Sequence, residues 1–178
     1  MLPPFFMRIF LIGFMGSGKT FLGKKLSSYY QLPFLDLDNY IEQRTNKTIN
    51  ELFAARGESY FRKLESKTLK SLNVKGIIAT GGGIIELKRN RQLLQKTANY
   101  VIWLNPDWHI LKKRILNSNR PLVKKYRETE LYDLWSKRFN LYKSCANVEI
   151  TKPSLSKIIK VMPEDIILKD KKGNKFTQ

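Results

Sequence analysis

Three features of this 178-residue sequence predict an α/β fold, in which buried strands alternate with helices. Short, continuous apolar runs recur between helical stretches, the pattern of strands covered on both faces. The first run, residues 9–12, passes through a glycine-rich turn into a helical stripe of Leu22, Leu26, Tyr29 and Tyr30. The length suits one domain that buries about 70% of its unfolded surface without disulfides.

The turn Gly13-Phe14-Met15-Gly16-Ser17-Gly18-Lys19-Thr20 has the spacing glycine, four residues, Gly-Lys-Thr. Glycines let successive backbone N–H groups curl around an anion at a helix N-terminus; Lys19 adds a mobile positive charge, and Thr20 offers a hydroxyl to Mg²⁺. Residues 32–35 read as a second strand that delivers Asp36 and Asp38 at its end. Carboxylates two residues apart leave a strand on the same side, and in open α/β sheets ligands sit beyond the carboxyl ends of the strands. Two readings stand on these residues alone: a carboxylate pair beside the phosphate loop, or Asp38 capping a helix that starts at Asn39.

A helix begins near Thr48 and is interrupted at Gly57, and its continuation carries Tyr60, Phe61, Leu64, Leu69 and Leu72. Arg62 and Glu65 share a face at i, i+3, and with Glu58 as a further partner the residues favour a surface ion pair. Residues 77–80 read as a third strand running into Gly81-Gly82-Gly83. Three glycines lose much backbone entropy on ordering, which points to a ligand or chain segment lying against the bare backbone. Residues 84–95 then read as helix and 100–104 as the fourth strand.

A turn at Asn105-Pro106-Asp107 starts a helix through His109, Leu111 and Arg114. His109, the sole histidine, has no cysteine or carboxylate at ligand spacing and reads as neither metal ligand nor catalytic group. Residues 117–127 lack periodicity and are long for a connection, as lids and binding loops are. Residues 130–142 read as a helix with Leu131, Trp135, Arg138 and Tyr142 on one face. An arginine within an apolar stripe needs an anion. Residues 147–150 form the fifth strand, followed by a turn at Pro153 and a helix over 154–162.

The formal charge is +18, from 33 Lys and Arg against 15 Asp and Glu. Lysines are scattered along helices and enriched at 169–175 without a concentrated stripe, so the charge reads as a solvated basic surface that also attracts ATP, rather than as a specific nucleic-acid site. The single cysteine, Cys145, reads as structural. With no signal peptide and no apolar run of about 18 residues, a cytoplasmic, membrane-free protein is expected. Translation starts at Met1 or at Met7.

The order of the phosphate loop, Asp36-Leu37-Asp38, residues 57–65, Thr80 with the three glycines, and Arg120-Pro121-Leu122 resembles the shikimate kinases. The resemblance covers about residues 8–162. It implies a three-layer P-loop kinase fold: a five-stranded parallel sheet flanked by helices, a small substrate-binding segment at about 36–65 and a mobile lid at about 117–127. It also implies a monomer that transfers phosphate from ATP to the 3-hydroxyl of shikimate with Mg²⁺. Gly13, Gly16, Ser17, Gly18, Lys19, Thr20 and Arg120 would bind ATP, and Thr20 and Asp36 would hold the metal. Asp38 would accept the substrate proton, with Lys19 and Arg120 as the other catalytic groups. Arg62 and Arg138 would grip the substrate carboxylate, Glu65 would orient Arg62, and Gly81, Gly82 and Gly83 would approach the substrate. Either Lys113 or Arg114 would lie near adenine. The rivals are a gluconate or nucleoside-monophosphate kinase of the same fold and a non-catalytic, nucleotide-dependent RNA-binding protein.

Overall fold

The structure is a computed structural model that describes residues 8–116 and 118–163. The alternative starts Met1 and Met7, Asn117 at the head of the expected lid, and the lysine-rich tail lie outside the described residues.

All five expected strands form: β1 (Arg8–Ile12), β2 (Phe34–Asp36), β3 (Gly76–Ala79), β4 (Asn99–Leu104) and β5 (Val148–Ile150). They build one parallel sheet in the order β2-β3-β1-β4-β5, with Phe10 of β1 set between Ile78 of β3 and Val101 of β4. Side chains alternate across a strand, so Phe10, Ile12, Ile78, Val101 and Trp103 enter one core while Ile9, Leu11, Ile77, Ile102 and Leu104 enter the other. The second core is covered by α1 (Lys19–Tyr30) and α8 (Leu155–Lys160), through Leu22, Leu26, Tyr30 and Ile158. Over the first core lie α2 (Leu37–Thr45), α3 (Ile49–Ser71), α4 (Lys88–Leu94), α5 (Trp108–Ile115), α6 (Pro121–Lys125) and α7 (Glu128–Cys145). Burial of both faces is why the strands read as unbroken apolar runs. Cys145 is buried in the first core, in keeping with a structural role.

Local boundaries depart from expectation where side chains compete for backbone groups. The cap of α2 is Asp36, not Asp38: Asp36 accepts hydrogen bonds from the N–H groups of Asp38 (3.1 Å) and Asn39 (3.3 Å), so Asp38 belongs to the first helical turn rather than to a strand end. Residues 84–87 are turns, and helix begins only at Lys88. There Asn90 Nδ2 donates to the Ile84 carbonyl (2.9 Å), and Arg91 Nη1 to those of Ile85 (2.7 Å) and Glu86 (2.9 Å), satisfying by side chain what helix would satisfy by backbone. The expected lid contains α6, with Pro121 at its first position and Leu122 buried beneath it. At its start α7 gains two residues, Glu128 and Thr129, where the Glu130 carboxylate accepts from the Arg127 N–H at 2.7 Å. Gly57 breaks α3 as expected; its φ of 76° and ψ of 172° suit glycine almost alone.

Candidate active site

Beyond β1 the chain turns back on itself before α1. Gly13, Gly16 and Gly18 have φ of 144°, 78° and 94°, a backbone that side chains would strain. Buried Lys19 lays its ammonium across this loop, donating to the carbonyls of Gly13 (2.8 Å) and Phe14 (2.9 Å) and to Ser17 Oγ (3.3 Å). Burial, then the positive charge of Arg120, push its pKa down to about 7, while Asp38 and Asp36 pull the other way. Thr20 Oγ1 donates to Asp36 Oδ2 at 2.6 Å. The turns after β1 and β2 therefore bring a hydroxyl and a carboxylate to one point at the carboxyl edge of the sheet.

Gly16, Ser17, Gly18, Lys19 and Thr20 form one side of a cleft of about 420 Å³, whose walls also include Asp36, Asp38, Gly82 and Arg120. Gly13 does not line it and contributes through its carbonyl to Lys19. Arg114 does line it, and its Nη1 donates to the Gly16 carbonyl at 2.9 Å; Lys113 does not. Pro153, read from the sequence only as a turn, also lines the cleft. Asp38 is half-buried, yet its Oδ1 is closed to solvent and has no hydrogen-bond partner among the described residues. Burial raises its pKa, the neighbouring Asp36 raises it further, and Lys19 and Arg120 oppose the rise.

Arg62 and Arg138 lie in an adjoining cluster behind the glycine turn rather than in the wall of this cleft. They are 7% and 2% exposed, so the Arg62–Glu65 pair is a buried one and not the surface pair the residues alone suggested. Arg62 Nη1 donates to Glu65 Oε2 at 2.9 Å, and its Nη2 to Glu58 Oε1 at 3.3 Å. Glu65 is fully buried, which pushes its pKa up to about 7; the Arg62 charge pulls it back and Asp38 adds to the rise. The anion that Arg138 requires is supplied by Glu86: Arg138 Nε donates to Glu86 Oε1 at 2.8 Å, and Nη2 contacts the same oxygen.

The glycine triplet makes room for this cluster. A Cβ on Gly81 would lie 2.5 Å from Glu65 Oε1 and 2.8 Å from Asp38 Oδ1, and one on Gly83 would overlap the Arg62 guanidinium. The bare backbone is thus approached by this chain's own charged groups. Gly82, which faces the cleft, is held from behind: Tyr142 Oη donates to its carbonyl, and the Tyr142 ring stacks on Trp103 with centroids 5.7 Å apart. Glu86 was not singled out from the sequence, although an arginine within the apolar stripe of Leu131, Trp135 and Tyr142 called for an acidic partner that no residue near it in sequence was assigned.

Residues 15–167 match the family model described as shikimate kinase. Over 144 residues the chain is 45% identical to the shikimate kinase of Dictyoglomus turgidum, covering 77% of this chain and 83% of that one. It is 45% identical to a Staphylococcus epidermidis shikimate kinase, with coverages of 80% and 84%. Among solved structures it is similar to shikimate kinase from Acinetobacter baumannii in complex with shikimate, with a TM-score of 0.79, 33% identity, and coverage of 92% and 94%.

Proposed function

The chain belongs to the shikimate kinase family, and on that premise we infer that it uses ATP to phosphorylate the 3-hydroxyl of shikimate, a step towards chorismate and the aromatic amino acids. The observation that carries the reading is Asp38, whose carboxylate lines the phosphate-loop cleft while its buried Oδ1 lies unpartnered towards Gly81. A hydroxyl held in the cleft beside Asp38 can pass its proton to the carboxylate while its oxygen attacks the terminal phosphorus of ATP, whose bond to the bridging oxygen breaks as ADP leaves. The raised pKa of Asp38 suits a proton acceptor.

Loop N–H groups and Lys19 bind the phosphates, and Arg120 approaches the transferring group from the lid, where positive charge stabilises the transition state. Arg114 and Pro153 flank the nucleotide base. The Arg62 and Arg138 guanidinium groups take the substrate carboxylate, for which a planar fork is the matching donor. Glu65 fixes Arg62, and Gly82 brings backbone to the substrate.

Mg²⁺ fits the Thr20 and Asp36 pair, because both are hard oxygen donors already in contact and this ion binds through few protein ligands plus substrate phosphates. When bound it neutralises charge on the phosphates. The reading treats the chain as a monomeric, cytoplasmic enzyme of one domain, with its core at 8–162, substrate segment at 36–65 and lid at 117–127. Among the described residues no helix is long and apolar enough to cross a membrane. A coupled ADP-release assay offering shikimate, gluconate and nucleoside monophosphates in parallel tests the reading. Turnover with shikimate alone is expected, and turnover only with a nucleotide acceptor would overturn it.

A further inference from the structure

The two arginines assigned to the substrate carboxylate already hold a carboxylate. Glu86 Oε1 accepts from Arg138 Nε at 2.8 Å and meets Arg138 Nη2, while Glu86 Oε2 lies 3.6 Å from Arg62 Nε. One carboxylate therefore spans both guanidinium groups, one oxygen to each, as a bound carboxylic acid gripped by the pair would.

Glu86 occupies the donor edges through which the two guanidinium groups meet one carboxylate. Arg62 gives Nη1 to Glu65 and Nη2 to Glu58, and its Nε faces Glu86 without a hydrogen bond; Arg138 turns its Nε and Nη2 edge to Glu86, and its Nη1 is buried without a hydrogen-bond partner among the described residues. Glu65 is fully buried and fixed, whereas the Glu86 side chain is 30% exposed. Glu86 stands on the turn after the glycine triplet, its N–H bonded to the Gly83 carbonyl at 3.0 Å, so its carboxylate can swing to solvent without unfolding a helix.

We propose that Glu86 is a displaceable counter-ion, an internal stand-in for the substrate carboxylate that pairs with Arg62 and Arg138 and must leave when substrate binds. The proposal rests on the assignment of the arginine pair to the substrate carboxylate. Its consequence is a competition within the chain: each binding event is weakened by the fraction of molecules in which Glu86 occupies the pair. Such a counter-ion also raises selectivity, since a ligand without a carboxylate that displaced it would leave the buried Arg138 charge without an acidic partner among the described residues, whereas Arg62 keeps Glu65 and Glu58.

Titration of shikimate and of shikimate 3-phosphate against the parent, Glu86→Gln, Glu86→Asp and Arg138→Lys tests this. Glutamine keeps the shape but not the charge, so Glu86→Gln is expected to bind both ligands about three- to tenfold more tightly, by one common factor because they share the carboxylate, with ATP affinity unchanged. Glu86→Asp, too short to span the pair, is expected to fall between parent and Glu86→Gln and serves if the glutamine variant does not fold. Weaker or unaltered shikimate binding in both Glu86 variants, alongside weakened binding in Arg138→Lys, would overturn the proposal while leaving the arginine assignment standing; Glu86 would then be a fixed orienting partner. Unaltered binding in Arg138→Lys would overturn both.

Discussion

Asp38 and Glu65 show how one glycine sets the chemistry of two carboxylates. Both oxygens that face Gly81 lack hydrogen-bond partners among the described residues, and burial raises the pKa of each group. Their roles diverge through their neighbours: Asp38 opens on the cleft, whereas Glu65 is tied to Arg62. Asp38→Asn should therefore retain most shikimate binding and lose about 10²–10⁴-fold in kcat, because an amide keeps the shape but takes no proton. A kcat within a factor of a few of the parent would remove Asp38 from the proton transfer. Glu65 makes a different prediction. Unfolded, it titrates near its ordinary 4.5, and folded near 7; between these values the folded chain binds the additional proton. The Glu65 contribution to stability is complete below about pH 4.5 and is lost as pH rises to about 7. Glu65→Gln has no such proton to exchange, so the stability of the parent relative to this variant should decline across that window in urea titrations. A difference independent of pH would mean that Arg62 keeps Glu65 ionised throughout.

Elements were legible wherever burial alone decided them and obscure wherever side chains took over backbone bonding. The five strands declared themselves because a sheet covered on both faces admits only apolar runs, and Gly57 marked a break that its φ of 76° requires. Residues 84–95 read as helix throughout, but the carbonyls of residues 84–86 are claimed by Asn90 and Arg91, and no periodicity announces such bonds. The segment read as a lid for its lack of pattern contains α6, which was missed because its five residues rest on Pro121 and on buried Leu122. Asn50 Nδ2 donates to the Asn119 carbonyl at 3.0 Å, fixing one side of this segment to α3 and leaving Arg120 exposed at the mouth of the cleft. On the proposed reaction, a residue in that position would act on the transferring phosphate more than on either ground state. Arg120→Ala should lower kcat by about 10³-fold or more with smaller changes in KM, since arginines of this kind contribute about 10³–10⁵-fold. Steady-state kinetics with each substrate varied would test it: a raised KM at unaltered kcat would confine Arg120 to binding.

At the scale of the whole molecule the candidate site divides into parts visible in sequence and one that was not. The phosphate loop is contiguous, so Lys19 and Thr20 could be read directly; Arg62 and Arg138 were placed by resemblance; Glu86, 52 residues from Arg138, is joined to it only by the fold. Charge is the property that belongs to no single element. With 33 basic against 15 acidic residues, the chain carries a positive field towards which polyanions drift, although few of those charges touch the cleft. Screening shortens that field from about 10 Å at 0.1 M salt to about 3 Å at 1 M, whereas contacts inside a cleft are screened far less. Salt should therefore separate arrival from chemistry. Between about 0.03 M and 0.5 M sodium chloride, kcat/KM for ATP should fall by roughly an order of magnitude while kcat changes by less than about twofold. The corresponding fall for shikimate, which bears one charge, should be shallower. Equal slopes for the two substrates would show that the surface charge does not steer the nucleotide, and that the excess lysines act on solubility or on another anionic surface instead.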